Sequence, residues 1–238
     1  YNVVLNGSSN SIAGATTFAQ GGTLTLGNGT GDSTDFAGGL TATAPSGISA
    51  QGTVKADGGS GVLTLGDSDT GVTVAADLTV GGTSTGTISL GDATLADGAT
   101  LTVGAGAANQ IDLDAITGTA GSTASNLTIN STGVVTVAEA LGTDIGTVTV
   151  TQSGGTTFTG TLAAATVAIT DTADSQAITF TDSVTIGTGL TTANGGSDNY
   201  NVVLNGSSNS IAGATTFAQG GTLTLGNGTG DSTDFAGG

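Results

Sequence analysis

Residues 1–39, YNVVLNGSSNSIAGATTFAQGGTLTLGNGTGDSTDFAGG, recur as residues 200–238 without one change. The offset is 199 residues. A fixed period marks a quasi-one-dimensional architecture, in which each unit buries its apolar face only by stacking on its neighbours. The chain therefore reads as one full repeat, residues 1–199, followed by the start of the next, residues 200–238, cut from a longer array. The absence of Met agrees with an excerpt. No shift in composition suggests a boundary inside the period.

Within the period, short alternating runs recur. Leu24-Thr25-Leu26-Gly27-Asn28 returns as Leu63-Thr64-Leu65-Gly66-Asp67, and Ile88-Ser89-Leu90-Gly91-Asp92 is a close variant. Looser versions start at Leu78, Leu101 and Val184. On a strand, side chains two apart share a face. Leu24, Leu26, Leu63, Leu65, Ile88 and Leu90 are thus expected inward, with Thr25, Thr64 and Ser89 outward. No run lengthens into a 3.6-residue pattern. The Ala-rich residues 161–168 lie among Thr, Val and Gly and read as β rather than helix. Gly, Asn and Asp punctuate the runs as corners. Residues 104–108 and 120–124 read as larger loops.

With 44 Gly but a single Pro, collagen is excluded. Charged residues are 8% and hydrophobic ones 36%, which does not fit a disordered chain. Two all-β designs compete. Tandem sandwiches of about 100 residues want longer strands and a bulky core. Here aromatics are 3% and Trp is absent, so the interior must be narrow. An all-β, parallel β-solenoid of short strands, continuous along the array, fits better, because its backbone bonds run between coils. At about 20 residues per coil, the period is expected to make about 10 coils and rise about 48 Å. Tyr1 and Tyr200 would then occupy equivalent positions.

The segment GATTFAQGGTLTLGNG, residues 14–29, resembles the β-strand repeat of autotransporter passenger domains. The whole chain is similar in texture to large repetitive surface proteins of the filamentous-haemagglutinin type. The resemblance implies a secreted or surface-displayed parallel β-helix, commonly right-handed, used in adhesion or as a stalk. It brings no catalytic residues with it.

The net charge is −17, Glu139 is the only Glu and Lys55 the only cation. Phosphate neutralisation needs Lys and Arg, which argues against nucleic acid and against anionic lipid. No stretch approaches the roughly 20 apolar residues of a spanning helix. Without His or Cys, neither a Ser-His-Asp nor a Cys-His arrangement can be built. We expect no enzyme and no catalytic residue; a carboxylate-based polysaccharide-active β-helix is the alternative kept open. Asp32, Asp35, Asp67 and Asp69, with Asp231 and Asp234 in the second copy, are candidate Ca²⁺ ligands in Gly-rich turns. Set against this, Asp commonly caps turns without metal. Ladders of outward Thr suggest ice binding, but the irregular spacing of the runs favours Thr as a plain β-former. Asn6, Asn28, Asn126, Asn130, Asn205 and Asn227 begin N-glycosylation sequons, which matter only if the host uses them.

The function expected is a repeating segment of an extracellular or cell-surface filament, stalk or sheath. Its partner would be itself, end to end or laterally. The alternative is an adhesin module that binds cell-surface carbohydrate or protein.

Overall fold

The computed structural model describes residues 1–196 and 198–238, and among them are 27 short β-strands and no helix. The strands pair in parallel, each with its counterpart one coil earlier and one coil later. Each coil has three faces, so the molecule is a three-faced solenoid. In most coils each face has its own strand, while Ile48–Lys55, Val72–Gly81, Leu162–Ile169 and Val184–Thr192 each run across the first two faces as one strand. One face carries the inward track Val3, Leu24, Ile48, Val72, Ala93, Ile116, Leu141, Leu162 and Val184. The second carries Leu78, Leu101, Leu127, Val148, Val167 and Leu190. The third runs Thr16, Leu40, Leu63, Ile88, Ile111, Val135, Thr156, Ile178, Val202 and Leu223.

The alternation expected from the sequence is observed. Leu24, Leu26, Leu63, Leu65, Ile88 and Leu90 are buried, while Thr25, Thr64 and Ser89 between them face out. Residues 161–168 are strand, within Leu162–Ile169. Residues 104–108 and 120–124 lie in connections between strands. A two-residue inward pattern places only two or three side chains on each face of a coil, which is why a narrow core of Leu, Ile, Val and Ala suffices. Leu65 has no exposed surface and sits between Ala42 and Leu90 on its track. Leu65→Ala should cost about 2–5 kcal/mol, measurable as a lowered urea midpoint with unchanged slope.

Two sequence expectations are corrected. From Thr16 to Leu223 the third track takes nine steps over 207 residues, 23 per coil rather than about 20. The excess lies in the corners, where loops such as residues 104–110 add length without adding a coil. The 199-residue period therefore spans 8⅔ coils, not about 10. Consequently Tyr1 and Tyr200 are not equivalent. Strand Val3–Leu5 begins the first-face track, whereas its copy within Tyr200–Leu204 pairs on the third face with Ala177–Phe180. Every later strand of the copy moves likewise: Ser9–Ile12 belongs to the second face, and Ser208–Ile211 pairs on the first.

The local fold survives this displacement. Phe18 and Phe36 meet edge to face at 6.2 Å, and Phe217 and Phe235 do so at 6.0 Å. Asn10 and Asn209 each bond the carbonyl three residues back. What differs is the neighbour. Tyr1 is 89% exposed; Tyr200, with a coil beneath it, is buried and donates to the Ala193 carbonyl at 2.6 Å. Burial pushes the Tyr200 phenol up to about 12.

Candidate functional surface

Outward hydroxyls line all three faces. On the second face Thr53, Thr79, Thr102, Thr128 and Thr149 are consecutive partners across five coils. On the first, Thr25, Ser49, Thr73, Thr94 and Thr117 form a similar track. In sequence the second-face threonines are 21 to 26 residues apart. In space they are in register, because the corners absorb the difference. The irregular spacing seen in the sequence thus does not carry into the surface. Beside this track Thr30, Thr53, Asp77, Thr79, Thr100 and Thr102 line a shallow polar groove.

The carboxylates lie mainly at corners and accept hydrogen bonds from backbone N–H groups. Some reach across to the next coil. Asp77 accepts from Thr100 N at 2.8 Å, Asp97 from Thr123 N at 2.9 Å and Asp57 from Thr83 N at 3.0 Å. Asn126 does the same for Thr147 N at 2.9 Å. These bonds satisfy donors that a ladder interrupted at a corner would leave unpaired. The ion pair with Lys55 and the Thr83 N–H hold Asp57 below the usual carboxylate range, and the Thr123 N–H does so for Asp97.

The candidate calcium ligands take up the same kind of bond. Asp32 accepts from Asn28 N and Gly29 N at 2.8 and 3.0 Å, and Asp231 from Asn227 N and Gly228 N, both at 2.8 Å. Asp67 accepts from Asp69 N and Thr70 N within its own turn. Asp35 accepts from Asp57 N on the next coil. Asp69 and Asp234 are exposed. Among the described residues, no three carboxylates converge on a point where they could hold a cation.

One acidic column does form. Asp67, Asp92 and Asp114 follow the third-face strands of three successive coils. Desolvation first, then the charges of Asp92, Asp67 and Asp112, hold the Asp114 carboxyl above its ordinary value. Because the folded-state value is raised, ionising this group weakens folding. That loss is full at neutral pH and is recovered as pH falls from the raised value to the ordinary one. Asp114→Asn should therefore raise Tm modestly at pH 7, and the gap should close on acidification; a gap that widens as pH falls would contradict this.

A polar spine runs inside the corner between the second and third faces, which the sequence alone does not reveal. Ser84, Asn109, Ser131, Ser153 and Thr172 are buried on successive coils. Asn109 donates to the Ser84 and Gly86 carbonyls at 2.9 and 2.6 Å, and Ser131 to the Asn109 carbonyl at 2.6 Å. Each serine also accepts from the glycine two residues on: Gly86, Gly133 and Gly155. The signal that could have found it is a recurring Ser-x-Gly before a strand, with Thr or Gly in the middle. These groups close the corner where backbone bonds turn away from the ladders.

No family model, no curated protein and no solved structure matches this chain.

Proposed function

We propose that this chain is a structural repeat segment of an extracellular or cell-surface β-solenoid filament, stalk or sheath. The observation that carries the reading is continuity. Three parallel tracks run through the coils in register, and strand follows strand to the repeated segment at residues 200–238. An architecture whose units contact only their neighbours can extend without limit. Its outward surface is hydroxyl-rich, and its acidic groups cap corners, which suits a long solvated rod. The resemblance of residues 14–29 to autotransporter passenger repeats supports a surface location.

The test is imaging and diffraction of the source material. Rods with a strong axial spacing near 4.8 Å are expected, and a compact, unrepeated particle would overturn the reading. The adhesin alternative has one specific observation in its favour, the polar groove beside Thr79. Binding of the chain to a glycan array, abolished by Thr79→Tyr but not by Thr94→Tyr on the first face, would establish it.

A further inference from the structure

The two identical 39-residue segments lie at opposite ends of the solenoid, so each shows what the other lacks. In the first copy Leu24, Leu26 and Phe36 are at most 1% exposed, because residues 40–55 lie over them. Ile48 pairs with Leu24, Ala50 with Leu26 and Lys55 with Asp35. In the second copy the same side chains are uncovered: Leu223 is 38% and Leu225 48% exposed, and Phe217 and Phe235 line an apolar hollow with Leu223. The next coil has already begun there. Thr215 N donates to the Gly238 carbonyl at 3.1 Å, as Thr16 N donates to Gly39 at 3.0 Å. The charges match as well. Asp234 is exposed, whereas its counterpart Asp35 accepts from Asp57 N and lies near Lys55, the one cation in the period.

We propose that the surface formed by Phe217, Leu223, Leu225, Asp234 and Phe235 seats residues 40–55 of a further 199-residue unit, one face round from where they lie in the unit before. The proposal rests on the filament reading and adds its junction. Each unit advances 8⅔ coils, so a given surface feature comes back on a different face in the next unit. Three units complete 26 coils and restore the face, a structural repeat of about 125 Å. Whatever a unit displays is thereby distributed to all three sides of the rod.

Two measurements on the 238-residue chain test this. For the rotation, Thr179→Cys/Val203→Cys and Thr185→Cys/Val203→Cys are compared for bridging by a short thiol reagent. The structure pairs Val203 with Thr179 on the third face. Had the copy kept its first-face position, Val203 would lie beside Thr185 instead. Bridging of the 179/203 pair alone is expected; bridging of 185/203 in its place overturns the rotated junction. For the seat, Leu225→Cys is labelled with a maleimide in three forms: the chain itself, the chain extended after Gly238 by residues 40–61, and one extended by the same residues scrambled. Protection by about 10-fold or more in the native extension alone is expected, since labelling must then await local opening. Equal labelling in all three overturns the seat. Neither result depends on whether native rods exist, so failure here is separable from failure of the filament reading.

Discussion

Phe158→Ala will lower the stability of this solenoid by about 3–5 kcal/mol. Phe158 is 1% exposed and stacks on Phe180, with ring centroids 5.0 Å apart and planes within 5°. It lies on a track between Val137 and Phe180, so truncation opens a void that only neighbouring coils can fill. The lost ring contact adds about 0.5–1.5 kcal/mol to the plain loss of burial. Urea unfolding at constant pH measures it. Thr157→Ala, one position along and facing out, should stay within about 0.5 kcal/mol. If Phe158→Ala cost no more than that control, the coils would have to collapse freely onto the gap, and the packed-track description would be wrong.

Gly104→Ala should be comparably damaging for a backbone reason. Gly104 has φ +81°, and a Cβ there would sit 2.2 Å from the Asn130 carbonyl oxygen of the next coil. The left-handed conformation alone costs about 1–2 kcal/mol for a residue with a side chain. The clash is with backbone, so relief requires spreading two coils where the Asn130 carbonyl already accepts from Gly106 N at 2.9 Å. Gly58 separates the two terms. It has φ +77°, but a Cβ there would meet nothing within 4 Å, so Gly58→Ala should show the conformational cost only. A thermal melt in which the two variants matched would remove coil-to-coil contact as the reason for Gly104.

The strand faces were legible because they rest on a two-residue period, which the sequence displays directly at Leu63, Thr64 and Leu65. Coil length was not, because it depends on the corners. Residues 104–110 and 119–124 occupy connections that no periodicity measures, and they lengthen the coil from about 20 to 23 residues. That small error grows over a 199-residue period to more than a full coil, which is why the sequence alone puts Tyr200 on the wrong face. The Asp residues were legible as corner formers but not as acceptors between coils, since Asp77 and Thr100 are 23 residues apart with no local mark of their pairing. The spine through Asn109 and Ser131 was hidden for a related reason: single polar residues in a Thr- and Ser-rich chain look like surface until the corner encloses them.

The direction of the ladder bonds has a mechanical consequence. They run along the rod axis, so tension on the two ends loads the terminal coil by peeling rather than by shearing many bonds at once. Each coil that comes away releases 23 residues, about 75–80 Å of extended chain, while the rod shortens by only about 4.8 Å. A stretched fibre of this build would therefore yield in steps, releasing slack roughly sixteen times the height it gives up, with the untouched coils still folded behind the moving front.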